Sequence, residues 1–159
     1  MSIATYLFET EEHAALRATI RRFAEREIAP HAHDWEEAEE FPRELYAKAG
    51  EAGGIGTGYP EALGGGGGDL THVLVASEEM VLAGKSVGTT VGLGSHGIAL
   101  PPIVRFGTEE QKKRWVLPVI RGEKIAALAI TEPGGGSDVA SLRTTAKRDG
   151  DHYVVNGQK

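Results

Sequence analysis

An apolar run from Ala126 to Ile130 gives way to Thr131, Glu132 and Pro133, then to Gly134, Gly135 and Gly136, and closes on Ser137 and Asp138. Glycines in succession leave backbone N–H groups free and put no Cβ between them and a ligand, which suits the oxygens of a phosphate. Ser137 adds a hydroxyl donor at the same place. Ile130 and Thr131 close the apolar run and would offer backbone amide and hydroxyl groups to a flat ligand along its edge. The residues thus point to a phosphate-bearing cofactor site. A second reading stays open on these residues alone, in which the loop is only a strained turn and Asp138 caps whatever follows.

Other chemistry-bearing patterns fare less well. Gly92-Leu-Gly-Ser-His-Gly97 spells GxGxxG, but a dinucleotide site needs a strand before it, an unbroken helix after it and an acid about 20 residues on. Here Pro101-Pro102 interrupts the helix, and Leu117 stands where the acid belongs. Gly84-Lys85-Ser86 resembles the end of a P-loop, yet Glu79 replaces the required earlier glycine. His31 and His33 sit beside acids without zinc-type spacing, so no metal is expected. His96 reads as a satisfied core histidine, and Trp35 and Trp115 as packing residues.

The elements that must position the glycine segment are mostly helical. Leu16, Ile20, Phe23, Ala24 and Ile28 share one face of a helix from Glu11 to Ile28, with Thr10 as N-cap and Pro30 beyond its end. Asp34–Glu40 reads as a solvated acidic connection. Pro42 opens a second helix that runs to about Ala52, where Gly53-Gly54 stops it. A glycine-rich loop containing Pro60 follows. Asp69 then caps a third helix whose inward face is Val73, Ser77, Met80, Val81 and Gly84. Ser86–Phe106 reads as two short buried helices that Pro101-Pro102 must kink or split. Thr108-Glu-Glu-Gln111 matches a capping box and opens a helix that Pro118 disturbs. Lys124–Thr131, Leu142–Arg148 and His152–Val155 are strand-like, the last two joined at Asp149-Gly150-Asp151.

Two regions follow: residues 1–123, all helical, and 124–159, the opening of a β domain. Two or three strands alone are marginal in water, so the β part reads as incomplete. The 159 residues carry a net charge of −6 and no cysteine, which argues against general nucleic-acid binding, disulfides and thiolate catalysis. Ten of the 22 glycines fall between Gly50 and Gly68, marking irregular backbone in one place. No signal peptide is read at the N-terminus and no window is apolar enough to span a bilayer, so a cytoplasmic protein is expected.

The stretch from Ala127 to Lys159, with its Ile-Thr-Glu-Pro, its Gly-Ser-Asp and its closing Asn156-Gly-Gln-Lys159, closely resembles the flavin-contacting segment of acyl-CoA dehydrogenases. Phe106-Gly-Thr-Glu-Glu-Gln-Lys112 and Tyr59-Pro-Glu-Ala-Leu-Gly-Gly65 resemble two further motifs of that family in the same order, and Glu78-Glu79 sits where its third helix carries paired acids. The resemblance implies an N-terminal helical domain, a middle β-barrel and a C-terminal helical bundle that is absent here. It implies FAD, and oxidation of an acyl-CoA thioester to the 2,3-enoyl-CoA. A carboxylate takes the α-proton, a hydride leaves to the flavin, and electrons pass to an electron-transferring flavoprotein. Dimers or tetramers are implied. By resemblance the flavin contacts fall on Leu128, Ile130, Thr131, Gly136 and Ser137, with Ser137 also near the CoA side, whereas Glu132 and Asp138 are structural. Gly135 stands where alanine is commoner.

No carboxylate of this chain matches the family's catalytic base, which the resemblance places in the C-terminal bundle. These residues alone are therefore expected neither to retain FAD tightly nor to turn over acyl-CoA. Two other readings remain: an oxygen-linked relative on the same scaffold (an acyl-CoA oxidase or a flavin monooxygenase), and a short non-catalytic interaction module. Acyl chain length is not legible.

Overall fold

The computed structural model describes residues 6–159. The signal-peptide reading therefore falls partly outside the described residues. The chain divides into two compact units, one ending at Ala127 and one spanning Leu128–Lys159. The first is helical and the second holds a two-stranded antiparallel sheet.

In the first unit α1 (Glu11–Glu27) and α4 (Leu70–Gly84) lie side by side and run in the same direction. Their order of contact shows it: His13 meets His72, Arg17 meets Glu78, and a Cβ on Gly84 would lie 3.2 Å from Ile28. Ile20, Phe23, Ala24 and Ile28 from this end of the chain pack with Leu45, Ala49, Ile55, Ala76, Met80 and Leu93. The face of α1 is the one its periodicity predicts. The face of α4 is rotated. Val75, Ala76, Glu79, Met80 and Gly84 are buried, while Ser77 is exposed and Val73 and Val81 are half-buried. The reason is Glu79: although charged, it turns inward because Arg17 and Arg21 reach it at 3.3 and 2.5 Å. A buried carboxylate is tolerated only with such partners.

The acidic connection expected at Asp34–Glu40 is instead a helix, α2 (Ala32–Ala38). Trp35 packs against the core, and Glu36, though exposed, accepts from Ser86 Oγ at 2.5 Å and from the Gly88 N–H at 3.1 Å. It thereby serves the N-terminus of α5 (Val87–Leu93) from a distant segment. The short helix α3 (Glu44–Glu51) follows α2.

The prolines do not split the next helix. The break falls at Gly94–Ser95, and α6 (His96–Phe106) carries both Pro101 and Pro102. They remove the ladder bonds that would end on the carbonyls of Gly97 and Ile98. Thr108 and Gln111 close the expected capping box around α7 (Glu109–Gln111), with bonds of 3.2 and 2.9 Å. Lys112–Val116 then forms a π-helical turn ahead of α8 (Leu117–Ile120), so Pro118 disturbs the helix as expected. Leu100, Val116, Val119 and Ile120 make a second apolar cluster. Trp115 is not a packing residue. It is 42% exposed, with Arg114 and Lys124 over its ring at 4.8 and 4.9 Å.

In the second unit β1 (Thr145–Asp149) pairs with β2 (His152–Asn156), from Thr145 opposite Asn156 to Asp149 opposite His152. Gly150 opens the two-residue turn with φ +61°, the left-handed position that glycine takes without strain. The strand expected from Leu142 begins only at Thr145, because the N–H groups of Arg143 and Thr144 already donate to the Glu132 carboxylate at 2.7 and 2.9 Å. Residues 124–131, expected as a strand, join no ladder among the described residues, and a strand without a partner leaves its backbone to water.

Candidate functional site

The glycine segment is held by its flanks rather than by its glycines. Glu132 N–H and carbonyl exchange bonds of 3.0 and 3.1 Å with Gly135, pinning a tight turn over Pro133 and Gly134. Thr144, whose N–H donates to it, then the N–H of Arg143 and the Lys159 ammonium, lower the Glu132 carboxyl to about 2. The same ammonium donates to Glu132 and to the Ile130 carbonyl, both at 3.0 Å. Asp138 accepts from Ser141 Oγ at 2.6 Å and so anchors the single 3₁₀ turn Val139–Ser141. Both oxygens of Glu132 are engaged, and Asp138 is engaged at one.

What this leaves free is the donor set. The N–H groups of Gly134, Gly136 and Ser137, and the hydroxyls of Thr131 and Ser137, have no hydrogen-bond partner among the described residues. None of the three glycines has a left-handed φ, so the backbone itself does not require them. A Cβ on Gly134 or Gly135 would meet nothing within 4 Å, and one on Gly136 only Thr131 at 3.5 Å. Glycine here keeps open space above free N–H groups. An anionic ligand such as a pyrophosphate fits that combination. Leu128 and Ile130, 49% and 37% exposed, offer apolar surface just before it.

The helical unit contains a cavity of its own, about 510 Å³ in volume. Tyr59, Val73, Met80, Leu93 and Gly97 line it, and Arg105 is its one permanently charged member. Its shape depends on the loop between α3 and α4. There Gly58 N–H bonds Gly67 carbonyl at 2.8 Å and Gly67 N–H bonds Tyr59 carbonyl at 2.9 Å. Gly65 lies so close to Tyr59 that a Cβ would sit 2.2 Å from its carbonyl oxygen. Tyr59 OH donates to the His96 carbonyl at 3.3 Å, tying the loop to α6. Burial raises the Tyr59 phenol and lowers the His96 imidazole, so His96 is neutral and its Nδ1 donates to the Leu93 carbonyl at 2.8 Å.

The helical periodicity set Val73 and Met80 on an inward face without showing that this face borders a cavity. Ser77, a polar residue on an expected inward face, was the available signal that this face borders a cavity. The GxGxxG pattern spans the end of α5 and the start of α6, with no strand before it.

Residues 10–123 match the family model described as acyl-CoA dehydrogenase, N-terminal domain, and residues 127–159 match the middle domain of the same family. The chain belongs to the acyl-CoA dehydrogenase family. It is similar to a short-chain specific acyl-CoA dehydrogenase of Clostridium acetobutylicum, with 41% identity over 94% of this chain and 39% of that protein. It is 40% identical to the long-chain specific mitochondrial acyl-CoA dehydrogenase of Sus scrofa, over 94% of this chain and 34% of the relative. Among solved structures it is similar to a putative acyl-CoA dehydrogenase from Mycobacterium smegmatis, with 54% identity, a TM-score of 0.90, and coverage of 96% of this chain and 40% of that one. The chain thus spans about a third to two fifths of the length of these proteins.

Proposed function

We propose that the protein carrying this chain is an FAD-dependent acyl-CoA dehydrogenase of the cytoplasm, acting as a homo-oligomer and passing electrons to an electron-transferring flavoprotein. The observation that carries the reading is the free donor set from Thr131 to Ser137, within the stretch that matches the family's middle domain. FAD, when bound, supplies the acceptor for the hydride that leaves the acyl β-carbon. The chain's own residues bind and orient. Gly136 and Ser137 donate to the pyrophosphate, Ile130 and Thr131 face the ring system, and Leu128 covers it with apolar surface. Ser137 also reaches toward the CoA side. The apolar cavity of the helical unit takes the acyl chain, a role its lining of aliphatic and small residues supports. Glu132 and Asp138 take no proton in the reaction, because Glu132 already holds the N–H groups of Arg143 and Thr144 and Asp138 the Ser141 hydroxyl. The α-proton goes to a carboxylate outside these 159 residues.

Relatives of 41% and 40% identity are specific for short and for long chains, so identity does not select the acyl length. The test uses the full-length protein. Anaerobic addition of acyl-CoA should bleach the absorbance of a co-purified flavin, and Ser137→Ala should weaken FAD retention about tenfold, the worth of one hydrogen bond to a charged group. Protein that purifies without flavin and gains none on reconstitution would overturn the reading.

A further inference from the structure

Lys159 lies 27 residues beyond Glu132 in the sequence, yet its ammonium stands between the Glu132 carboxylate and the Ile130 carbonyl, 3.0 Å from each. The turn at Asn156-Gly157 returns it there. Gly157 has φ +152°, and a Cβ on it would collide with the Thr144 side chain and lie 2.7 Å from Thr144 Cα. Glycine is what lets the chain pass so close to Thr144, whose own N–H is on Glu132. The Glu132 and Lys159 side chains keep only 9% and 27% of their surface in solvent, so salt screens this pair less than one in open water.

An ammonium needs only Glu132 to be paired. That it also takes the Ile130 carbonyl matters, because this carbonyl shares a peptide group with the Thr131 N–H. In a trans peptide the two point to opposite edges of the chain, so the Thr131 N–H leaves the segment on the edge away from Lys159. It has no hydrogen-bond partner among the described residues, whereas the next N–H, that of Glu132, is already bonded to Gly135. A carbonyl that accepts from a charged donor is polarised, and the N–H of the same peptide becomes a stronger donor in turn. Glu132 does not cancel the ammonium alone, since the N–H groups of Arg143 and Thr144 draw on the same carboxylate.

Taking this stretch as the flavin segment, the reading given above, we propose that Lys159 is a positioning residue for it: the ammonium clamps the Ile130–Thr131 peptide and, through that peptide, strengthens the Thr131 N–H as a donor to the flavin ring. A hydride brings two electrons and one proton, so a ring that accepts one takes on a negative charge. A strengthened donor therefore favours the reduced flavin over the oxidised one. Lys159 acts through the peptide and takes no proton itself.

A mere strap behaves differently. Cutting a strap weakens oxidised and reduced flavin alike and leaves the midpoint potential where it was. Removing a polarising charge weakens the reduced form more and lowers the potential.

The experiment uses full-length protein with Lys159→Gln, which keeps a neutral N–H donor, and Lys159→Arg, which keeps the charge. FAD affinity is measured by titrating flavin-free protein, and the midpoint potential by equilibration with redox dyes at saturating FAD. Lys159→Gln should favour reduced over oxidised flavin about tenfold less than the parent does, a potential about 30 mV lower for a two-electron couple. Lys159→Arg should keep the parent's potential, and all three flavin-free proteins should melt together. An unchanged potential in Lys159→Gln overturns the proposal even where FAD affinity falls, and so does a glutamine variant that does not fold, since either makes Lys159 a strap alone. An arginine variant whose potential falls as far as that of the glutamine variant overturns it too. Parent protein that takes up no flavin removes the flavin reading itself, and this role with it.

Discussion

At the scale of single residues, the candidate site separates groups that are spent from groups that are free. Glu132 is spent on Thr144, Arg143 and Lys159. Its carboxyl is depressed from the usual carboxylate range to about 2. A depressed folded value means that the tether is fully present above the unfolded value, about 4.3, and is lost as pH falls toward 2. Amide exchange at Arg143 and Thr144 should therefore stay protected from pH 7 to about 4.5 and lose protection below it. Glu132→Gln should lose that protection at every pH, and equal protection in the two proteins would remove Glu132 from this role. Sequence could show that a carboxylate stood before the glycines. It could not show which N–H groups it held, because Arg143 and Thr144 return to it only after a 3₁₀ turn.

At the scale of elements, α1, α4 and α7 lie where the apolar spacing and capping residues announce them, whereas α2 stands where a solvated connection was expected. The departures come from side chains that distant elements recruit. Glu36 belongs to an acidic run that reads as solvated, and Glu79 to a pair of acids on the third helix. Glu36 reaches the open N-terminus of α5 from the surface, and Glu79 is drawn into the interior by two arginines of α1. Arg17 joins Glu9, Glu78 and Glu79 at 2.6, 2.7 and 3.3 Å. Arg17→Met should leave these carboxylates crowded with only Arg21 nearby, and cost about 3–5 kcal/mol in denaturant unfolding. A cost below about 1 kcal/mol would show that the cluster is solvated and screened. In the loop that shapes the cavity, Gly65→Ala should cost about 2 kcal/mol, since the Tyr59 backbone must move to admit a methyl group. An unchanged Tm in that variant would contradict the close approach.

At the scale of the whole molecule, the cavity and the glycine segment belong to different units, and only the complete enzyme tests them together. A Cβ on Gly97 would meet nothing within 4 Å, so a large side chain there has room to occupy the cavity without disturbing α6. Gly97→Phe should lower kcat/KM for long acyl-CoAs at least about tenfold relative to short ones, the loss of one to two buried methylenes' worth of transfer energy. Equal losses for both lengths would place the acyl chain elsewhere. The family was legible in the motifs because they are local runs of backbone-defining residues. The cavity was not, because its walls come from four segments that meet only after folding.

The pairing of α1 with α4 also sets an order of events. Some 40 residues, α2 and α3 among them, separate the end of one from the start of the other, so the first helix gains its chief partner only after a long stretch of chain closes. A chain emerging from the ribosome shows the apolar face of α1 to the solvent for most of that interval, the condition in which nascent chains aggregate or meet chaperones. Until Gly84 has left the tunnel, Ile28 has nowhere to go.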